Sequence, residues 1–192
     1  MIKKFFYFFF FFSLILFKTS YANNGDFYIQ PSLLFQNINA NTGKYTGLNP
    51  KISLGFEKKF DNRLFLATEL GISTSGITIN DQQKYTCGYS RYYSSFNSNS
   101  TFDIAIFPGI VLDENTLLFL RLGAAGTYFP EFDGAAGGGE IGLGIQKKLS
   151  GAWELRLEYF HTDYNSIVDE NNYIVGPEPK ADNIAIGLMY TF

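Results

Sequence analysis

The stretch ADNIAIGLMYTF, residues 181–192, decides the fold of this chain. Ile184, Ile186, Leu188, Tyr190 and Phe192 alternate with Asn183, Ala185, Gly187, Met189 and Thr191. A period of two places the first set on one face of a strand and the second on the other. One face is wholly apolar and the other small or polar, so the strand separates two unlike environments.

Working outward from this strand, seven more segments alternate in the same way between turn signals. They are 27–36, 51–60, 63–73, 101–112, a segment around Leu118, Leu120 and Leu122, then 138–147, and a segment starting at Trp153. In each, one face is Leu, Ile and Phe. The other mixes glycines (Gly55, Gly71, Gly109, Gly123, Gly142, Gly144, Gly187) with long charged residues. The connections near 61–62, 113–115 and 149–152 are tight, whereas those near 37–50, 74–100, 127–137 and 162–181 are long and rich in Asn, Ser, Gly and Tyr. Short turns at one rim, long loops at the other and an even strand count describe an eight-stranded antiparallel up-and-down transmembrane β-barrel, all-β, with both chain ends at the short rim.

A soluble barrel of lipocalin type has the same strand count with its apolar face inside. The mixed face decides between them, because a narrow eight-stranded interior closes only where small residues alternate with large ones. Uniform Leu, Ile and Phe suits lipid. Aromatic residues are expected to form girdles at the two bilayer interfaces: Tyr28, Trp153, Tyr190 and Phe192 at the short rim, and Phe35, Phe129 and Tyr159 at the other. The interior then holds Arg63, Arg121, Arg156 and Lys51 facing Glu57, Glu69, Asp103, Glu140, Glu154 and Glu158. Charges away from water must be paired, so a salt-bridge network filling the lumen is expected. A narrow porin-like channel is the alternative use of the same residues.

Composition narrows the classes further. Lys3 and Lys4 precede an apolar run from Phe5 to Phe17 and the small residues of Ser20-Tyr21-Ala22, which reads as a signal peptide, residues 1–22, followed by a barrel domain, residues 23–192. The apolar run is shorter than the roughly twenty residues of a spanning helix. Setting aside Lys3, Lys4 and Lys18 leaves twelve basic against eighteen acidic residues, net −6, so nucleic acid is not expected as a partner. The single cysteine, Cys87, forms no intramolecular disulfide. One histidine and scattered loop acids show no metal-ligand spacing, and no helix or lysine follows the glycines at 134–139 at the spacing of a phosphate loop, so no cofactor is expected.

The run at 153–163, WELRLEYFHTD, followed by a loop and then NIAIGLMYTF at 183–192, resembles the last hairpin of the outer-membrane protein β-barrel family. That family groups the OmpA transmembrane domain, OmpX and opacity-type surface proteins. The resemblance implies a Gram-negative outer membrane, outer-membrane lipids around the wall, and recognition of the closing strand, with Tyr190 and Phe192, by the barrel assembly machinery. It implies no single activity; a monomer is expected. No peptidoglycan-binding segment follows Phe192, so tethering to the wall is not expected.

Two functional readings follow. The loop at 74–100 carries Tyr85, Tyr89, Arg91, Tyr92 and Tyr93 among Ser, Asn and Gly, a composition of adaptable recognition surfaces. This points to an adhesive, structural or recognition role with host or surface ligands, and to no enzyme. The alternative is a lipid A or phospholipid acyl hydrolase at His161, because deacylases of outer membranes use a His with a Ser and an acidic or Asn partner on the lipid-facing side. Asp163 and Ser166 are nearby in sequence, but position 163 is Asp where the deacylase pattern has Ser.

Overall fold

In the computed structural model the two ends of the chain lie side by side, Tyr28 opposite Thr191 and Asn39 opposite Lys180. The structure describes residues 25–40, 43–74, 77–81, 100–129 and 133–192. Its strands are β1 (Asp26–Ala40), β2 (Gly43–Lys59), β3 (Leu64–Thr74), β4 (Ile77–Asp81), β5 (Ser100–Val111), β6 (Thr116–Phe129), β7 (Gly134–Ser150), β8 (Trp153–Tyr164) and β9 (Lys180–Thr191). Neighbours pair antiparallel in the order β1-β9-β8-β7-β6-β5-β3-β2, and β1 also pairs with β2, which closes the sheet. The short β4 continues the path of β3 along the outer half of β2, Leu48 opposite Ile77. The ring is therefore a closed eight-stranded antiparallel barrel.

Parity dictates the two surfaces. Tyr28, Gln30, Ser32 and Leu34 point inward and are buried, while Phe27, Leu33 and Phe35 point outward and are exposed. The same division runs through Leu66, Leu70 and Ile72, through Leu118, Leu120 and Leu122, through Ile141, Leu143 and Ile145, and through Ile184, Ile186 and Leu188, all exposed. A soluble barrel has the reverse arrangement. The outward set of β1 runs from Phe27 to Phe35, about the 9–11 residues with which a tilted strand crosses a bilayer core. No helix among the described residues is long and apolar enough to cross a membrane.

Several boundaries differ from the sequence reading. The connection expected at 37–50 is not a loop: β1 and β2 stay paired from Gln36 opposite Gly47 out to Ala40 opposite Gly43. The connection expected at 127–137 shrinks because β6 runs to Phe129 and β7 begins at Gly134, so the glycine run lies wholly within a paired strand. The expected 162–181 loop is partly ordered by antiparallel bridges of Val168 to Ala135 and to Ile174. The proposed signal peptide, Cys87 and the tyrosine-rich positions Tyr85, Tyr89, Arg91, Tyr92 and Tyr93 lie outside the described residues.

Candidate functional site: the barrel interior and the outer rim

The interior is built by a register rule. Each of six charged inward residues faces a glycine on a neighbouring strand: Glu69 opposite Gly55, Asp103 opposite Gly71, Arg121 opposite Gly142, Glu140 opposite Gly123, Glu158 opposite Gly144 and Arg156 opposite Gly187. The missing side chains leave room that neighbouring inward groups fill: Asp103 and Lys51 at Gly71, Glu140 at Gly123, Tyr28 at Gly55, Phe160 at Gly142, Phe119 at Gly144 and Gln30 at Gly187.

Two guanidinium groups, each fully buried, organise the middle. Arg121 lies 2.7 Å from both Asp103 and Glu140 and 3.2 Å from Glu158. Arg156 lies 2.8 Å from Glu69, and its Nε and Nη2 donate to Gln146 Oε1 at 2.9 and 2.8 Å. Lys51 joins the two groups, 2.8 Å from Asp103 and 3.5 Å from Glu69. Aromatic faces complete the solvation of the cations: Phe160 lies 4.3 Å from Arg121, and Tyr28 and Phe107 lie 4.9 and 5.0 Å from Arg156. Planar, weakly hydrated guanidinium suits such a place, since it stacks on rings and forks onto carboxylates together.

Above and below this level further inward side chains follow. Towards the short-turn rim, Phe65, Leu117, Phe119 and Met189 form a buried apolar cluster, and Glu57 and Glu154 share Lys59 at 3.3 and 3.5 Å. Towards the other rim, Gln36 donates to Asn183 and accepts from Asn49, both at 3.0 Å, and Asn183 donates to Thr162 at 3.2 Å. A small polar cavity lined by Gln36, Lys51, Asp103 and Tyr164 lies beside them. At the mouth Ile38, Tyr45, Phe129, Tyr164 and Ile167 pack together. Ile167 comes from the segment after β8, so that segment folds into the opening.

Three sequence-based placements change. Arg63 is not in the lumen: it is exposed in the turn between β2 and β3 with φ at +64°, a left-handed position immediately before β3 begins at Leu64. Tyr28 is not in an interfacial girdle. It is buried on the inward face, where its hydroxyl donates to Glu69 at 3.0 Å. Phe129 likewise is buried inside the mouth, stacked edge-on to Tyr164 at 5.9 Å. The remaining short-rim aromatics do line up outside, Trp153 to Tyr190 at 4.9 Å and Tyr190 to Phe192 at 5.4 Å. Gln146 and Asn183 lie inside, on the face where strand parity puts them, while Asn49 and Lys59 are partners that the sequence reading did not single out; Lys59 is 44% exposed and reaches in from the short-turn rim.

On the outer wall, His161 Nδ1 lies 2.9 Å from Asp182 Oδ1, and the Tyr159 hydroxyl donates to the same oxygen at 2.9 Å. The sequence neighbours weighed as its catalytic partners are engaged elsewhere. Asp163 pairs with Lys180 at 3.4 Å, and the Ser166 hydroxyl donates to Glu178 at 3.0 Å. No group of three or more metal-ligating side chains occurs among the described residues.

At the short-turn rim, Asp113 accepts a hydrogen bond from the backbone N–H of Asn115 at 2.8 Å. That bond and the neighbouring Thr116 hold its carboxyl below the usual aspartate range, because they stabilise the ionised form.

Comparison with known proteins agrees with this architecture. No curated protein sequence matches the chain. Among solved structures, Neisserial surface protein A is 14% identical with a TM-score of 0.53, over 88% of this chain and 100% of its own. Ail, the attachment invasion locus protein of Yersinia pestis, solved in complex with the heparin analogue sucrose octasulfate, is 12% identical with a TM-score of 0.54 over the same shares. A major outer membrane protein from Thermus thermophilus is 12% identical with a TM-score of 0.53, again over 88% and 100%. At these identities the likeness concerns the fold. The model of the outer membrane protein beta-barrel domain matches residues 9–192, and the closed ring, the apolar outer wall and the charged interior all fall within that span: the chain belongs to this family of outer-membrane barrels.

Proposed function

We propose that this protein is a monomeric surface barrel of a Gram-negative outer membrane that transports nothing through its lumen and acts through the segments it holds outside. The observation that carries this reading is the filling of the interior at successive levels. The Phe65–Phe119 cluster, the Arg121 and Arg156 ion pairs, the Gln36–Asn183 layer and the Phe129–Ile167 cluster each span the ring. A conducting path requires all four to open together. The β1–β2 hairpin supports the second half of the proposal. It stays paired for five register steps beyond Phe35, to Ala40 opposite Gly43, about 17 Å further along the strand, and β9 stays paired with β1 to Lys180 opposite Asn39, so the wall of the barrel continues past the apolar band.

In this reading the barrel is a pedestal, and the tyrosine-rich segment between β4 and β5 is its recognition surface. The pairing of β2 with β3 and of β3 with β5 sets the ring without that segment. The test uses protein whose unheated and boiled samples migrate differently in detergent gels, the behaviour of a folded barrel. Recording on planar bilayers is expected to show no conductance steps. Deleting residues 82–99 is expected to preserve the mobility shift and to abolish adhesion of expressing cells to host-cell or matrix-coated surfaces. Discrete steps from folded protein refute the closed lumen, and unchanged adhesion refutes the loop assignment.

A further inference from the structure

The segment between β8 and β9 folds into a small hairpin at the mouth of the barrel. Ile167 is fully buried there. The backbone N–H of Ala135 in β7 donates to the Val168 carbonyl at 2.9 Å, and the Val168 N–H donates back at 3.0 Å. Val168 also pairs with Ile174, and the Val175 N–H donates to the Ile167 carbonyl at 2.9 Å. The chain reverses on Asp169, whose carboxylate accepts from the backbone N–H of Asn171 and of Tyr173, both at 2.9 Å, with Asn172 left-handed at φ +64°. A hairpin pinned at so many points is ordered before anything binds it.

At its tip Tyr173 is 70% exposed and Ile174 73%, with Val175 exposed beside them. The lipid-facing wall does not account for them. Ile141 is the last large apolar residue exposed on β7 before this rim, and Ala135, where the hairpin docks, lies six residues further on, about 20 Å along the strand. Apolar groups gathered on an otherwise polar surface mark a contact site. The surroundings are acidic. Residues 164–179 hold Asp169, Glu170 and Glu178 and no lysine or arginine. The Tyr128 hydroxyl donates to Asp133 at 2.7 Å, and Glu170 lies near enough to act on the same hydroxyl through its charge. Among the described residues, the two lysines of this rim have acidic neighbours of their own, Lys180 with Asp163 at 3.4 Å and Lys44 with Asp182. Across 37–50, 74–100, 127–137 and 162–182 the chain has eight acidic residues and four basic ones.

We infer that the Tyr173–Ile174 tip anchors a cationic protein surface, seated in an apolar pocket of that partner while lysines and arginines around the pocket face Asp133, Asp169, Glu170 and Glu178. Tyr supplies a large contact at small entropy cost, and a hairpin already ordered gives up little more freedom when it docks. The apolar pair sets the hold, and the acids set the orientation and the rate of approach. Like charge disfavours the other occupants. A second copy brings the same acidic tip against its own kind, and an anionic membrane surface or an acidic polysaccharide repels it. The inference rests on the reading of the protein as a surface barrel, and it places contact on a segment other than the tyrosine-rich one between β4 and β5.

The test is biolayer interferometry of the folded barrel in phosphatidylcholine nanodiscs, with empty nanodiscs as reference, on three immobilised peptides. The first alternates Lys with Leu and Trp. The second keeps the lysines and has Ser at the apolar positions, and the third keeps the apolar residues and has Glu for Lys. The wild type is expected to hold the first about tenfold more tightly than either of the others, the effect of one well-packed interface anchor. Tyr173→Ser/Ile174→Ser is expected to lose the preference for the first peptide over the second, and Asp133→Asn/Glu170→Gln/Glu178→Gln the preference for the first over the third. Phe192→Ser, at the opposite rim, is expected to keep both. Each variant is used as protein that shows the gel mobility shift. Absent or equal binding of the three peptides by the wild type overturns the inference, as does either preference surviving in the variant expected to lose it. Self-association, or binding to phosphatidylserine vesicles, that Tyr173→Ser/Ile174→Ser abolishes also overturns it, since the tip then serves a second copy or a membrane. Unchanged adhesion after deletion of residues 82–99 refutes the role given to that segment and leaves the peptide preferences standing, so the two readings fail separately.

Discussion

The Glu69 carboxylate lies 2.8 Å from the Arg156 guanidinium and 3.5 Å from the Lys51 ammonium, with all three side chains buried. It joins the two guanidinium groups of the lumen through Lys51 and Asp103. Replacing it by Ala leaves Arg156 and Lys51 short of a counter-charge in a site closed to water, and breaking such a buried pair costs about 3–5 kcal/mol. Trp153, the sole tryptophan, sits on the outer wall and reports unfolding. Urea titration of its fluorescence in lipid vesicles is expected to show Glu69→Ala destabilised by that amount, and Glu69→Gln by less, because the amide still accepts a hydrogen bond.

Gly142 tests the packing of the lumen. A Cβ there collides with the Tyr159 carbonyl and with the Cβ and backbone of Phe160, none of which is the far end of a flexible chain. Gly142→Val is expected to cost about 1–3 kcal/mol or more through overpacking. Gly139→Val is expected to be nearly neutral, since a Cβ at Gly139 meets nothing within 4 Å. The same urea titration separates the two.

Phe192 is 73% exposed, and its backbone N–H donates to the Phe27 carbonyl at 2.9 Å, a bond that any residue makes. Phe192→Ala is therefore expected to leave the unfolding midpoint of assembled barrel almost unchanged. If the aromatic end is read by the assembly machinery, the same variant is expected to reduce the amount of protein reaching the outer membrane several-fold, measured by fractionation and the gel mobility shift.

Asp113 provides a pH test. Its carboxyl titrates lower in the folded turn than in the unfolded chain, so its contribution is present above the unfolded value and disappears as pH falls through the folded one. Asp113→Ala is expected to lower stability at pH 7 and to have no effect at pH 2, compared by urea midpoints at the two pH values.

His161→Ala is expected to leave both the gel mobility shift and phospholipid content unchanged, with acyl hydrolysis at the level of protein-free vesicles. Loss of a measurable hydrolysis on this substitution sinks the surface-protein reading.

Strand number, parity and the outward face were legible because a period of two is printed residue by residue along the chain. Ile184, Ile186 and Leu188 need no partner to declare their side. What was not legible depends on register. That Arg156 meets Gly187, or that Arg121 meets Gly142, follows from how far one strand slides along the next, which no single segment encodes. Arg63 was misplaced for a related reason: the inward parity of Phe65, Ala67 and Glu69 was carried back one residue past the start of β3, into a left-handed turn residue. Tyr28 was misread because an aromatic near a rim suits both a girdle and a lumen, and only the nearness of Glu69 and Arg156 decides.

The pairing of β1 with β9 has a consequence for how the molecule comes into being. The first strand waits for the last, with partners such as Tyr28 and Thr191 separated by nearly the whole chain. Until that seam is zipped, both edges are open ladders of unsatisfied amides, which a bilayer does not tolerate and which invite pairing with other chains. Closure must then come late and nearly all at once, and a chain cut short before β9 is left as an aggregation hazard with no stable partial barrel to retreat to.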